Sequence, residues 1–272
     1  MKITFLGGGN MASALIGGLL RQGFPVADLR VVECLPEQRQ KLAEQFGIAC
    51  LAAPDAANPA ILDTDILTLA VKPQQMREAI APLAGHLTSQ TVLSIAAGLT
   101  LETLSAWLSG YRRIIRAMPN TPAMIGLGMS GLCALPEVAA HERRNAETVL
   151  KAAGEILWVE EESRMDAITA ISGSGPAYLF LFIEALEAAA ARLGFAPEEA
   201  RKLALGTTLG AAQLAADSPD SPAILRERVT SKGGTTAAAL AVMAEKGVAQ
   251  GIIAGADAAC ERSREMARQL KN

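Results

Sequence analysis

The chain has 272 residues, half of them hydrophobic, with 25 basic and 28 acidic side chains and a formal net charge of −3. That length suits one large domain or two modest ones, and the near-balanced charge excludes the basic field that nucleic-acid binding requires. Four cysteines without C-x-x-C spacing and two histidines argue against a metal site and for reduced thiols in a cytosolic protein.

The chain begins with a short apolar run, Ile3–Leu6, of strand length. It breaks into Gly7-Gly8-Gly9-Asn10-Met11-Ala12, and a helix-period segment, Met11–Gln22, follows at once. Strand, glycine turn and helix in this order make the G-x-G-x-x-A form of the dinucleotide fingerprint. Gly7 permits the tight turn, Gly9 lets a pyrophosphate approach the backbone, and Ala12 lets the helix pack closely on the strand. The free N–H groups and positive dipole end of that helix then face the phosphates.

Further strands are predicted at Leu29–Glu33, Ile66–Val71, Val92–Ala96, Arg113–Ala117 and Gly131–Ala134. Helices are predicted at Pro36–Phe46, Met76–Leu83, Leu101–Leu108 and Glu142–Gly154. Runs such as Ile66-Leu67-Thr68-Leu69-Ala70-Val71 suit strands buried on both faces of a parallel sheet. The alternation predicts an α/β Rossmann-type doubly wound domain over residues 1–162, with its ligand at the carboxyl ends of the strands. After Glu160-Glu161-Glu162 the strand signal stops, and residues 163–272 read as an all-α domain rich in alanine and leucine. Its helix Tyr178–Arg192 is apolar on nearly every face and needs covering on all sides. A subunit partner is the expected cover, in preference to burial at the centre of a monomeric bundle. No charged leader precedes an apolar segment, and no apolar run reaches the ~18 residues of a bilayer span. A soluble cytoplasmic protein is therefore expected.

Several loops carry polar groups in suitable places. Val71-Lys72-Pro73, Ala96-Ala97-Gly98 and Met118-Pro119-Asn120-Thr121-Pro122 each follow a strand and would lie against a bound dinucleotide. Lys72 could meet a phosphate, a ribose or a substrate carboxylate. Ser172-Gly173-Ser174-Gly175-Pro176-Ala177-Tyr178 and Ser231-Lys232-Gly233-Gly234-Thr235-Thr236 each open a helix. Hydroxyls and unpaired N–H groups at a helix start form an anion site for a small carboxylate.

With these loops in place the chain resembles the pyrroline-5-carboxylate reductase family. The matching segments are Phe5–Met11, Ala70–Pro73, Ser94–Gly98, Arg116–Pro122, Ser172–Tyr178 and Val229–Thr236, in the family's order. The resemblance implies reduction of 1-pyrroline-5-carboxylate to L-proline with NADPH or NADH, the last step of proline synthesis. It also implies an N-terminal Rossmann domain and a C-terminal domain that interlocks into a homodimer, with dimers assembled into a larger ring such as a decamer. On this reading Gly7, Gly8, Gly9, Asn10, Met11 and Ala12 hold the pyrophosphate. Ala70, Val71, Lys72 and Pro73, with Ala96, Ala97 and Gly98, flank the cofactor, and Asn120 orients its nicotinamide end. Ser231, Gly233, Gly234, Thr235 and Thr236 bind the substrate carboxylate, and Ser174 helps close the pocket. Thr236 is the leading candidate for a hydrogen bond or proton relay to the imine nitrogen, with Ser231 and Lys72 as further catalytic candidates.

Two departures from the family pattern matter. Lys232 stands where the family usually has proline, which frees φ and adds a charge that would not repel a carboxylate. Glu33-Cys34 ends the second strand, where a carboxylate can accept from both ribose hydroxyls and repels a 2′-phosphate. Better use of NADH than in many relatives is expected. A β-hydroxyacid or 6-phosphogluconate-type dehydrogenase would need a lysine on the helix after its second-domain glycine loop, and no lysine lies between Lys151 and Lys202. A dinucleotide-sensing module would have no use for the Ser231–Thr236 segment.

Overall fold

The computed structural model describes residues 1–55 and 58–270. They divide into two compact units, one comprising Met1–Ser174 with the end of the chain from Ala259, the other Gly175–Ala258.

The first unit is built on β1 (Ile3–Leu6), β2 (Leu29–Val32), β3 (Ala49–Leu51), β4 (Ile66–Leu69), β5 (Thr91–Ser94), β6 (Ile114–Met118), β7 (Gly128–Ala134) and β8 (Gly154–Trp158). These strands form one sheet in the order β3-β2-β1-β4-β5-β6-β7-β8. All the pairings are parallel except β6 with β7. Its helices are α1 (Asn10–Arg21), α2 (Pro36–Phe46), α3 (Pro59–Leu62), α4 (Pro73–Ile80), α5 (Leu101–Trp107), α6 (Ala140–Lys151) and α7 (Arg164–Ile168). Apolar residues cover both faces of the sheet. Ile3 and Phe5 of β1 pack with Leu15 and Ile16 of α1 on one side, while Leu6 packs with Met76 and Ile80 of α4 on the other. This two-sided burial explains why the inner strands read as unbroken apolar runs. β1 lies between β2 and β4, where the strand order reverses, so the ligand crevice belongs at the ends of these strands.

Three of the six predicted strands run a residue or two too far, and the excess matters. Glu33, Ala70, Val71, Ile95 and Ala96 leave the sheet and form the loops above the crevice. The predicted helix Met76–Leu83 begins earlier, at Pro73, a favoured first-turn residue, and ends in a 3-10 turn over Ala81–Leu83. β3 and β8 are not anticipated. β3 is three residues long and none of them is buried. β8 begins inside the segment assigned to a helix ending at Gly154. Gly154 has φ +145°, and a Cβ there would stand 2.0 Å from the Gly128 carbonyl oxygen, so helix is excluded and β8 pairs closely with β7.

The second unit contains α8 (Gly175–Arg192), α9 (Pro197–Asp217), α10 (Pro222–Arg228), α11 (Thr235–Glu245) and the start of α12 (Val248–Leu270). α8 has no buried residue in the single chain, and Phe180 and Leu181 are 64% and 67% exposed. Burial of this helix in a monomeric bundle is thereby excluded. Leu209, Leu214, Ile252 and Ile253 are exposed as well. Apolar surface of this extent marks an association face. The helical stretch Arg164–Arg192 is long and apolar enough to cross a bilayer by length and composition, although the sequence there contains no unbroken apolar run of that length.

Candidate active site

The first half-site is the glycine turn. Gly7 adopts φ +98°, and a Cβ on it would lie 2.8 Å from the Ala70 carbonyl oxygen. Only glycine lets β1 and β4 leave the sheet so close together. A Cβ on Gly9 would meet nothing within 4 Å, which leaves the approach to α1 open. Gly9 is the N-cap of α1 and no acidic residue occupies the first turn. The opening N–H groups at Asn10, Met11 and Ala12 therefore lack a side-chain cap, the arrangement that suits an anion. Ala12 is 1% exposed and packed in the core. The residues present fit a dinucleotide diphosphate.

Around this turn the chain has built a polar frame. The Gly8 N–H donates to Glu33 Oε2 at 2.9 Å, and the Leu35 N–H to Glu33 Oε1 at 2.9 Å. Gln38 Nε2 donates to the Gly8 carbonyl at 2.6 Å. Arg39 Nη1 donates to the carbonyls of Glu33 and Cys34 at 2.8 and 2.9 Å. A cleft of about 440 Å³ opens here, lined by Gly7, Glu33, Cys34, Val71, Gln75 and Glu78 among others. Gln38 and Arg39 do not stand out in the sequence. Their only signal is helical spacing that returns α2 to the end of β2.

The remaining loops of this unit fall at strand ends as expected. Lys72 is exposed and is the N-cap of α4, with Pro73 following it. Ala96 and Gly98 are buried and Ala97 half-buried. Gly98 has φ +77°, and a Cβ there would stand 3.1 Å from Leu270 Cδ1 of α12. Asn120 is bound on both sides of its amide: Oδ1 accepts from the Met129 N–H at 2.8 Å and Nδ2 donates to the Ser172 carbonyl at 3.0 Å. Its side chain thus bridges three segments of protein.

One expectation needs correction. The Ser172–Tyr178 segment was expected to be a loop with free N–H groups at a helix start. Instead Thr169–Gly173 winds into a π-helical turn directly after α7, and the Ser174 N–H donates to the Thr169 carbonyl at 2.8 Å. The backbone N–H of Ser174 is therefore spent on the helix. The Thr169 and Ser172 hydroxyls also bond back to carbonyls one turn earlier, so glycine content alone misled.

The second half-site lies in the other unit. Residues 231–234 form a turn in which the Gly234 N–H donates to the Ser231 carbonyl at 3.0 Å. A Cβ on Gly234 would stand 2.4 Å from Ser231 Oγ, so a larger residue here would push the Ser231 hydroxyl aside. Gly233 has φ +71°. Gly234 is the N-cap of α11, and Thr235 and Thr236 fill a first turn without an acidic residue. Thr236 is half-buried, while Ser231, Lys232 and Thr235 are exposed. Like α1, α11 starts on a glycine and offers unpaired N–H groups, here with hydroxyls beside them. That chemistry suits a small carboxylate. Among the described residues no group of three or more His, Cys, Asp or Glu could hold a metal ion.

Comparison with known proteins gives the family. Residues 162–266 match the family model described as pyrroline-5-carboxylate reductase dimerisation, and residues 2–98 match one described as NADP oxidoreductase, coenzyme F420-dependent. The pyrroline-5-carboxylate reductase of Pseudomonas aeruginosa is 44% identical over 270 residues, 99% of this chain and 98% of that one. The chain belongs to the pyrroline-5-carboxylate reductase family. A solved pyrroline-5-carboxylate reductase from Coxiella burnetii superposes with a TM-score of 0.90 at 36% identity, covering 97% of this chain and 98% of that chain. The Plasmodium falciparum member, solved with NADP bound, gives a TM-score of 0.86 at 28% identity, covering 98% of both chains. The dimerisation-domain match accounts for the uncovered apolar helices, which a second copy of the chain would bury.

Proposed function

We infer that this chain reduces 1-pyrroline-5-carboxylate to L-proline with NAD(P)H, the last step of proline biosynthesis. Family membership over nearly the whole chain carries the reading, and the two glycine-started helices supply its chemistry. The substrate is a five-membered cyclic imine bearing a carboxylate, and reduced nicotinamide supplies the hydride to the imine carbon. A protonated imine is already a good electrophile, so positioning accounts for much of the rate. This agrees with the lack of histidine or acid in the Ser231–Thr236 loop.

The residues then divide as follows. The N–H groups at the start of α1 bind the diphosphate, with Gly7, Gly8 and Gly9 giving access. Glu33 meets the adenosine ribose and lets NADH serve beside NADPH. Ala70–Pro73 and Ala96–Gly98 flank the dinucleotide. Asn120 acts by holding the β6–β7 loop against the π turn, and so shapes the nicotinamide end. The start of α11 binds the carboxylate through backbone N–H groups and the hydroxyls of Ser231, Thr235 and Thr236. Thr236 serves the imine nitrogen, and Lys72 steadies a phosphate or the substrate acid. The helical half from about residue 163 forms the homodimer, and dimers associate into a larger ring such as a decamer in the cytoplasm. Light scattering on the purified protein reads that assembly directly.

The test is oxidation of NADH and NADPH, followed at the reduced-nicotinamide band, with the five-membered imine and its six-membered homologue. Turnover with the five-membered ring supports the reading. Cofactor binding without turnover would make the chain a dinucleotide-binding module instead.

A further inference from the structure

Arg116 of β6 and Glu142 are the charged residues buried below 4% exposure among the described residues. Glu142 has an evident duty, accepting from the Ala139 N–H at the start of α6. Arg116 lies in mid-sheet, paired in register with Ser94 of β5 and Cys133 of β7. Its Nη1 donates to Glu162 Oε1 at 2.9 Å, and the same oxygen accepts from the Leu101 N–H at 2.8 Å. One carboxylate therefore ties three segments: the middle of β6, the first residue of α5, and the stretch after β8.

We propose that Arg116 and Glu162 are positioning residues that set the Ala96–Thr100 turn against the Met118–Pro122 loop. Leu101 stands three residues after Gly98, and Arg116 two residues before Met118. The pair thus fixes the Ala96–Gly98 loop, assigned above to flank the dinucleotide, relative to the Asn120 loop, assigned to its nicotinamide end, and the proposal rests on that assignment. With Arg116 buried and the Glu162 side chain 25% exposed, such an ion pair gains little net stability over apolar residues of similar size. Its use here is geometric, because a carboxylate that accepts from both a guanidinium and a backbone N–H admits one arrangement of all three segments. Hydride transfer is sensitive to such placement, where a shift of about 1 Å can cost on the order of a hundredfold.

The test compares wild type with Glu162→Gln and with the double variant Arg116→Met/Glu162→Leu, which removes the whole pair without stranding a buried charge. Glu162→Gln keeps an acceptor for the Leu101 N–H and removes the charge. Both variants are expected to lose about tenfold or more in kcat, while dinucleotide affinity, measured by titration without the imine, stays within about threefold because the α1 diphosphate site is untouched. Arg116→Lys, which retains the charge, should recover part of the loss. Wild-type kcat in both variants overturns the proposal, as does an equal loss of kcat and dinucleotide affinity, which marks general loosening. If the double variant does not fold, Glu162→Gln decides by the same two readings. A wild-type protein inactive on the imine overturns the functional reading and the proposal together, whereas active wild type with unaffected variants overturns the pair alone.

Discussion

Glu33 Oε2 accepts the Gly8 N–H at 2.9 Å, tying the end of β2 to the glycine turn. The second carboxylate oxygen accepts from Leu35, so the group is held in a fixed direction at the edge of the cleft. A fixed carboxylate beside the ribose accepts from its hydroxyls and repels a 2′-phosphate. NADH is therefore expected to support turnover with kcat/KM within about a hundredfold of NADPH, and Glu33→Ser should shift the ratio toward NADPH by about tenfold or more. Steady-state kinetics with both cofactors check this; an unshifted ratio would remove Glu33 from the selectivity argument.

Thr236 lies in the first turn of α11, where its hydroxyl stands beside the free N–H groups. Thr236→Ala should lower kcat/KM for the imine by about 10²-fold or more, as general acid or hydrogen-bonding groups do. Dinucleotide affinity should hold, because the dinucleotide site is proposed at α1. Loss of cofactor binding in this variant would reassign the loop.

Asn120 donates to the Ser172 carbonyl and accepts from the Met129 N–H. Asn120→Asp keeps the acceptor and loses the donor, leaving a carboxylate against a carbonyl oxygen. The expected cost is about 1–3 kcal/mol of stability, seen as a lower melting temperature, together with a lower kcat as the π turn loses its tether. An unchanged melting temperature would show that the bridge contributes nothing.

Tyr111 donates its hydroxyl to the Gln90 carbonyl at 2.6 Å, and burial pushes its pKa up from 10.0 to about 12. The folded protein therefore holds the phenol neutral longer than the unfolded chain does. Stability from this group is complete below pH 10 and is lost as pH rises through about 12. Melting temperature should fall more steeply across that window in wild type than in Tyr111→Phe. Parallel curves would exclude the phenol as the source.

The glycine turn, the inner strands and the glycine-started α11 were legible because each depends on local chemistry: an apolar run, a left-handed turn, a helix without a cap. β8 was not, since its existence depends on Gly154 fitting against Gly128, a contact between strands. The π turn was missed for a related reason. Ser172-Gly173-Ser174 has loop composition, yet the Ser174 N–H bond to the Thr169 carbonyl winds it into a helical turn. Arg116 opens the Arg116–Pro122 segment and Glu162 ends the acidic boundary, but nothing in the sequence joins the two as a pair. An arginine in an otherwise apolar strand does signal a partner, but not which one. The association face was legible in outline, because a helix as apolar as α8 cannot be satisfied by one small helical unit.

The central claim is that α11 grips a ring-borne carboxylate while the α1 unit holds the hydride donor. Its most direct test is the initial rate of NAD(P)H oxidation with 1-pyrroline-5-carboxylate against the same ring lacking its carboxylate. The account predicts turnover with the acid and a loss of about a hundredfold or more in kcat/KM without it, the scale of a lost charge-assisted anion contact. Equal rates with the two rings, or no turnover with the acid, would contradict it.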